Sequence, residues 1–467
     1  MKKPLFSFFL YLLCVQAMGQ DTSYYANGKI SAIGKHDVKG QKTGEWRLFY
    51  PDSNRRGVEH YNNGVLHGEW KSYNERSALS DSGRYEFGLK EGEWRKYWDY
   101  GQPGIIEHFS KGKLSGLWQR YEGESQLSAS GSYSEGLQHG DWIYYLNGRV
   151  MESGAFDKGI LTGEWKQYHD EGFLLTTQNY KNNEAEGEWK TYYPSGKVNE
   201  ISSYEKGKLS GEAKEYYENG QLQKVTNFLN GVQHGTIRTY HEGGELSFTG
   251  NYEHGKPDGE FKGYYANGKL YSICRYKQGI LEGDNLIYHQ DGSVRDVSRY
   301  TNGKIEGEYK SFYENGRLSF IQTYKNGKNT GTSKMYNEDG KLWQTVTYDK
   351  KGGSETKQYN QEGKLRESYR YKEVWWKMEK AHYYPNGNLY KSESFEKGKL
   401  KGPCSVYYET GELREHGNYH DGQKHGEWKH YYKNGKLKIR GFYENGIQKG
   451  VWRYYTSTGK LIETEQF

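Results

Sequence analysis

One phrase of about twelve residues recurs along almost the whole chain. It reads GEWKHYYKNGKL at 426–437 and GEWKTYYPSGKV at 187–198, with a weaker copy at 307–318. Counted from the first glycine of the phrase, most copies follow one another in steps of 24 residues, with one step of 23 between Gly140 and Gly163. A fixed period of this length is the signature of a repeat protein, in which each repeat packs mainly on its neighbours. The chain is therefore expected to form an array of about 18 repeats.

The first glycine of the phrase is the landmark of each repeat and is called position 0 below. Gly402 follows Gly331 after 71 positions, which is one residue short of three 24-residue repeats. On this basis we divide the mature chain into regular repeats at 20–340, irregular repeats at 341–380 and regular repeats at 381–467. The landmarks expected to have a structural role are Gly44, Gly68, Gly92, Gly140, Gly163, Gly187, Gly211, Gly259, Gly307 and Gly426.

Each repeat contains two turn signals. One is Asn-Gly, as at Asn27-Gly28 and Asn434-Gly435, which is typical of a two-residue type I′ hairpin with φ > 0 at both residues. The other follows an aromatic residue, as in Tyr61-Asn62-Asn63-Gly64. Between the turns lie short runs rich in Tyr, Trp, Phe and Thr, too short and too often broken by glycine for helices. The prediction is an all-β fold of β-hairpin repeats in an antiparallel array, either an open sheet or a solenoid.

An aromatic residue occupies position +5 of every repeat. On a strand it shares a face with the Glu common at +1 and the Lys common at +3, while the Trp at +2 points to the other face. We expect the +5 side chains to form a ladder of stacked aromatics that joins the strands. Its representative members are Tyr73, Tyr97, Tyr192, Tyr216, Tyr264 and Tyr431.

Composition and motifs argue against several functions. The formal charge is +6 and basic residues alternate with acidic ones, which is unlike a nucleic-acid-binding patch. No phosphate loop, nucleophile elbow or CxxC pair is present, and the carboxylates recur with the repeat. We therefore expect no enzyme activity, cofactor, metal site or small-molecule substrate. Cys274 and Cys404 lie more than five repeats apart and are expected to stay unpaired.

Residues 1–19 have the pattern of a secretory signal peptide. Lys2 and Lys3 precede an apolar stretch from Leu5 to Val15, and small residues stand at the –3 and –1 positions before Gln20. The apolar stretch is too short to span a bilayer. The sequence therefore predicts export, to the periplasm or the medium.

The pattern Gly-Glu-Trp-Lys-x-Tyr-Tyr-x-Asn-Gly-Lys-Leu resembles the MORN repeat over residues 24 to 463. It is most similar to the variant in bacterial YwqK-type proteins, which are often labelled antitoxin components. The resemblance implies an elongated antiparallel β-array that serves as a scaffold for proteins or lipids, and no catalytic residues. The signal peptide departs from the antitoxin label, because an intracellular toxin is hard to reach from outside the cytoplasm.

Two places where the phrase varies are candidate binding surfaces. The first is the Trp row at position +2, which is unbroken in the first seven repeats, and the second is the Trp pair in the irregular segment. Packing along the sheet is the alternative role for the row. The candidate residues are Trp46, Trp70, Trp94, Trp118, Trp142, Trp165, Trp189, Trp375 and Trp376. The sequence is thus interpreted as an exported, non-enzymatic scaffold for an unknown protein partner or surface; a glycan-binding protein, an antitoxin and a lipid-surface binder stay open as alternatives.

Overall fold

The computed structural model describes residues 19–123, 125–349, 352–371 and 376–467. The predicted signal peptide, apart from its last residue, and Trp375 lie outside these ranges. Every strand pair in them is antiparallel, and they contain no helix. The chain divides into two compact units: unit 1 runs to Leu222 and includes 228–231, and unit 2 comprises 223–227 and 232–467.

The strands of unit 1 are β1 (Asp21–Tyr24), β2 (Ile30–His36), β3 (Lys42–Phe49), β4 (Arg55–Asn62), β5 (Val65–Leu66), β6 (Gly68–Tyr73), β7 (Leu79–Glu86), β8 (Leu89–Tyr97), β9 (Pro103–Ser110), β10 (Lys113–Leu114), β11 (Gly116–Glu122), β12 (Gln126–Ser134), β13 (Leu137–Leu146), β14 (Arg149–Asp157), β15 (Ile160–Tyr168), β16 (Leu174–Lys181), β17 (Glu184–Ala185), β18 (Gly187–Tyr192), β19 (Val198–Glu205), β20 (Lys208–Leu209) and β21 (Gly211–Tyr216). The residues of β22 (Leu222–Leu229) are divided between the units.

The strands of unit 2 are β23 (Val232–Tyr240), β24 (Leu246–Glu253), β25 (Lys256–Pro257), β26 (Gly259–Tyr264), β27 (Leu270–Lys277), β28 (Ile280–Leu281), β29 (Gly283–Tyr288), β30 (Val294–Thr301), β31 (Lys304–Ile305), β32 (Gly307–Phe312), β33 (Leu318–Lys325), β34 (Lys328–Tyr336), β35 (Leu342–Tyr348), β36 (Ser354–Tyr359), β37 (Leu365–Tyr371), β38 (Lys377–Tyr383), β39 (Leu389–Glu396), β40 (Lys399–Tyr407), β41 (Leu413–His420), β42 (Gln423–Tyr431), β43 (Leu437–Glu444), β44 (Ile447–Tyr455) and β45 (Leu461–Gln466).

Within each unit, strands pair with their neighbours in sequence. In unit 1, β7 pairs with β8 and β8 with β9; in unit 2, β42 pairs with β43 and β43 with β44. Each 24-residue repeat supplies two strands, and pairs such as β5 and β6 are the two parts of one strand interrupted near the landmark glycine. The predicted all-β array of antiparallel hairpin repeats is confirmed.

The landmark glycine produces a β-bulge. Gly92 has φ +66° and Gly426 has φ +77°, a conformation that favours glycine because it has no Cβ. The register of β7 with β8 shifts between Ser82 and Arg84, opposite the bulge. Such a bulge increases the local twist of the sheet and turns the side chains beyond it.

The prediction of a type I′ turn at the Asn-Gly of the repeated phrase was wrong in all but one repeat. At Asn27-Gly28 only the glycine has positive φ, and the loop closes through hydrogen bonds from the Gly28 N–H to the Tyr25 carbonyl and from the Tyr25 N–H to the Lys29 carbonyl. The two consecutive positive φ values of a type I′ turn occur instead in the other turn, as at Asn63-Gly64. Asn147-Gly148 is the exception, and its two-residue loop accounts for the 23-residue repeat that contains it.

Candidate binding surfaces

Six of the Trp side chains at position +2 lie in slots above a facing glycine. A Cβ on Gly83 would lie 2.1 Å from Cδ2 of Trp94, so only glycine allows the indole to cover the backbone there. The indole N–H of Trp94 donates to the Arg84 carbonyl at 3.1 Å, and Nζ of Lys90 lies 4.1 Å from the ring centroid. The same glycine pairing recurs for Trp46, Trp142, Trp165, Trp428 and Trp452.

Ring contacts connect these slots into columns of aromatic side chains. Within unit 1, the ring of Phe156 lies between those of Trp142 and Trp165, edge-on to both. In unit 2, Tyr443 lies in the same way between Trp428 and Trp452. Edge-to-face geometry of this kind stabilises aromatic pairs beyond their buried area. The side of the sheet that carries the columns is called the Trp face.

The predicted ladder of stacked +5 aromatics was wrong. In the described residues, many ring pairs join Trp at +2 to an aromatic side chain of the strand before or after it, and none involves the +5 tyrosines. These tyrosines are half-buried and make polar contacts, such as that between the hydroxyls of Tyr97 and Ser82 at 3.2 Å. Two +5 positions are also two strands apart, about 10 Å, which is too far for ring stacking.

The Trp row separates into buried and half-buried members. Trp46, Trp94, Trp142 and Trp165 are between 2 and 5% exposed, so their indoles offer no surface to a ligand. Trp70, Trp118 and Trp189 are half-buried, because Glu59, Glu107 and Gln178 occupy the facing position that is otherwise glycine. Trp376 is 49% exposed. A binding role stays a prediction for these half-buried and exposed side chains; the role of the buried four is packing.

The residue facing each Trp slot was missed at the sequence level. Where position +2 is Ser333, the facing residue is Gln322, which is 1% exposed and donates its amide to the Thr323 carbonyl at 2.6 Å. That carbonyl lies ten residues before the slot, as do the acceptors of the Trp94 and Trp428 indoles. The available signal was the residue eleven positions before the slot (twelve for Trp46): glycine before each buried Trp, and Gln322 before Ser333.

The second Tyr and the Asn of the phrase connect neighbouring repeats. The Tyr432 hydroxyl donates to the Tyr455 carbonyl at 2.9 Å, and Nδ2 of Asn434 donates to the Ser457 carbonyl at 2.8 Å. Oδ1 of Asn434 accepts a hydrogen bond from the Lys436 N–H inside its own loop. The second Tyr and the Asn therefore recur in the phrase because they contact the next repeat as well as the local turn.

The opposite side of the sheet carries positions +1, +3 and +5 and is called the Glu–Lys face. Lys190 binds Glu188 at 2.6 Å and Lys262 binds Glu260 at 2.5 Å, as the alternation of a strand predicts. These pairs are a third to a half exposed, and such surface pairs contribute little to stability. The face is therefore available for contacts outside the chain.

The irregular segment has lost two bulges. Ser354 and Met378 stand where the landmark glycine is expected, and the pairings of β35 with β36 and of β37 with β38 run without a register shift. On the Trp face here, a charged cluster replaces the aromatic column: His382 lies 3.1 Å from Glu367 and 3.7 Å from Glu393.

Other candidate chemistry is sparse in the part of the chain that the structure describes. No group of three or more His, Cys, Asp or Glu side chains there is arranged to hold a metal ion. Cys274 is half-buried and Cys404 is buried, and neither forms a disulfide. Burial raises the pKa of the Cys404 thiol to about 11. Among the same residues there is no apolar helix of membrane-spanning length.

Comparison with protein families gives one match. The family described as MORN repeat variant matches nine stretches, at 161–182, 185–206, 209–230, 233–254, 257–278, 305–326, 329–350, 400–421 and 424–445. No curated protein matches the chain.

Solved structures give distant similarities. A TcdB2–TccC3–Cdc42 complex is 12% identical over 96% of this chain and 31% of the other, with a TM-score of 0.14. The Tc holotoxin pore of Photorhabdus luminescens is 12% identical over 94% of this chain and 32% of the other, with a TM-score of 0.15. The chain thus spans about a third of the length of these structures.

Proposed function

Because the chain is a MORN repeat protein, a repeat scaffold of a kind suited to binding, we propose that it is an exported, non-enzymatic scaffold that holds a protein partner along its Glu–Lys face. No reacting groups are needed for this role. The N-terminal pattern at 1–19 supports the exported location.

The observation that carries the proposal is the different use of the two faces. Buried indoles above facing glycines occupy the Trp face in six of the repeats. The Glu–Lys face repeats the same exposed pair of charges beside a half-buried Tyr, as at Glu188, Lys190 and Tyr192. A protein interface uses roughly 20–30 residues a side, which several neighbouring repeats supply together. Tyr is also among the side chains enriched at interfaces.

The partner is tested by capture with charge-reversal variants. Lys190→Glu and Lys214→Glu together disrupt two Glu–Lys pairs on the face, and co-purification of the partner is expected to be lost. The matched control carries Lys158→Glu and Lys206→Glu, which change the net charge equally at exposed turn positions. If the turn variant loses the partner and the face variant keeps it, the Glu–Lys face is the wrong surface.

The location is tested separately by cell fractionation and N-terminal sequencing. An exported chain is expected to begin near Gln20 and to be absent from the cytosol. Recovery of the uncleaved chain in the cytosol would contradict export and favour the antitoxin alternative. Sedimentation with phospholipid vesicles tests the lipid-surface alternative with the same two charge-reversal variants.

A further inference from the structure

The Glu–Lys face of unit 2 contains a groove where long side chains of the repeat are missing. Position +3 is Lys, Arg, Gln, Ile or Leu in every other repeat, but it is Ala381 and Ser405 in two consecutive ones. The intervening strands carry Ser368 and Ser392. Ser368 faces Ala381, Ala381 faces Ser392, and Ser392 faces Ser405. Four small side chains therefore lie side by side across β37 to β40.

The groove has a measurable volume. Its main part encloses about 430 Å³ and is lined by these four residues together with Tyr383 and Arg370. A second part of about 420 Å³ shares Glu379, Ser394 and Pro403 with the first. Because neighbouring strands lie about 4.8 Å apart, the row of four small residues spans about 14 Å across the strands.

Hydroxyl groups dominate the floor. The Ser368 and Tyr383 hydroxyls lie 3.4 Å apart, and Oγ of Ser405 lies 2.9 Å from Nδ1 of His416. A hydroxyl can donate and accept, so this row complements a ligand that does both. The ring of Tyr383 adds an apolar surface at one side.

The charges around the groove are matched within the protein. At one end Glu355 binds Arg370 at 2.9 Å and Lys357 at 3.0 Å; beside the second part, Glu396 binds Lys401 at 3.0 Å. The linings of the two parts together contain four acidic and four basic side chains, so no excess of one sign selects a charged ligand. The lining therefore favours a neutral molecule.

The backbone beneath the groove is closed to an added strand. Each of β37 to β40 pairs with a strand on both sides, so its N–H and C=O groups are already used in the sheet. A peptide bound by β-strand addition needs an open edge. The groove must therefore recognise its ligand through side chains: the hydroxyls, one aromatic ring and the balanced charges of its lining.

We propose that this groove binds a neutral oligosaccharide that lies across β37 to β40. Sugar hydroxyls both donate and accept hydrogen bonds, and a sugar ring has an apolar face that packs on an aromatic side chain. The site is separate from the surface tested for the protein partner, which lies on strands of unit 1. Either proposal can fail without the other.

The test refills the groove in the full-length chain. Binding of a panel of short neutral glucose-, mannose-, xylose- and N-acetylglucosamine-based oligosaccharides is measured by calorimetry and by gel retardation on the matching polysaccharides. Ala381→Lys with Ser405→Lys restores the side chain usual at +3 and is expected to weaken binding by about ten-fold or more, because the floor hydroxyls are covered. Ala381→Ser keeps the groove and should bind like the parent chain, as should Lys206→Ser at an exposed turn of unit 1.

Circular dichroism and thermal unfolding verify that the Ala381→Lys, Ser405→Lys variant folds. A second variant, Ser392→Ala, removes one hydroxyl without filling the groove and is expected to weaken binding several-fold. The proposal is overturned if no oligosaccharide of the panel binds the parent chain, or if the refilled, folded variant binds equally well. Binding of a reduced and carboxymethylated polypeptide in the groove, with no sugar bound, also contradicts it.

Discussion

A glycine facing a buried indole should be the least replaceable residue of a repeat. A Cβ on Gly131 would lie 2.1 Å from Cδ2 of Trp142, which is 2% exposed and donates its indole N–H to the Ser132 carbonyl at 3.2 Å. In Gly131→Ala the ring must leave the slot, because the backbone of β12 beneath it is fixed by pairing with β11 and β13. The ring contacts of Trp142 with Tyr133 and Phe156 are then lost as well.

The size of the effect follows from the buried ring. An aromatic side chain buries about 150–250 Å², and at about 25 cal/mol per Å² its full expulsion costs about 4–6 kcal/mol. Partial displacement, with loss of one hydrogen bond worth about 1 kcal/mol, gives an expected loss of about 2–4 kcal/mol for Gly131→Ala. Gln178→Ala is the matched control, since the residue facing Trp189 already has a side chain; it should cost less than about 1.5 kcal/mol.

Exchanging the large and the small residue between the two positions should recover much of the lost stability. Gln322 and Ser333 show the slot with the large residue on the facing strand. Gly131→Gln and Trp142→Ser are each expected to cost about 3–5 kcal/mol, whereas the double variant should cost about 1–3 kcal/mol less than their sum.

Hydrogen exchange with mass spectrometry is the suitable assay, because repeats open locally and a single global midpoint would average them. The amides of β12, β13 and β14 report the local opening free energy, and those of β2 and β3 serve as an internal reference. Equal protection in Gly131→Ala and the parent chain would falsify the slot model. A double variant as unstable as the sum of the singles would show that the two positions are independent.

Three further predictions concern other contacts of the repeat. Tyr432→Phe removes the hydrogen bond to the Tyr455 carbonyl and should lower the local opening free energy of the last repeats by about 1 kcal/mol, measured by hydrogen exchange; unchanged protection would contradict the link between repeats. Gly426→Ala forces φ +77° on a residue with a Cβ and should lower the free energy of unfolding in urea by about 1–2 kcal/mol, and Gly426→Asn should lower it less. An equal loss of stability in the two variants would contradict a cost from backbone strain. Because burial raises the pKa of the Cys404 thiol to about 11, the thiol stays protonated at pH 8. Iodoacetamide should therefore label Cys404 slowly in the native chain, faster as the pH approaches 11, and at an ordinary rate in urea. Fast labelling of the native chain at pH 8, measured by mass spectrometry, would show that the thiol is accessible.

The period and the alternation of side chains were sufficient to predict the hairpin repeats and the two faces. Glu188 and Lys190 pair because +1 and +3 share a face, as the strand period requires. The turn types could not be assigned in the same way, because Asn434 serves its own loop through one amide atom and the next repeat through the other. A rule that assigns the turn type from the Asn-Gly pair alone does not include the hydrogen bond from Asn434 to Ser457, 23 residues away.

Burial of the Trp row illustrates the same limit. Trp94 and Trp70 are equivalent in the repeat, yet the first is buried and the second half-buried, because Gly83 faces one and Glu59 the other. The facing residue becomes known only when the register, including its bulge, is known. The groove is similar: Ala381 and Ser405 stand out in the sequence, but their alignment with the serines of the intervening strands depends on the register of β37 to β40.

The pairing of each strand with its sequence neighbours also determines how the array responds to force. In a meander of antiparallel hairpins, tension applied along the chain loads the outermost strand first and opens its hydrogen bonds one after another, as in a zipper, instead of shearing many at once. Within each unit, release of one 24-residue repeat frees about 80 Å of chain. Such a protein yields in small steps at low force and re-forms hairpin by hairpin, so a partner held on a few repeats can stay bound while others extend.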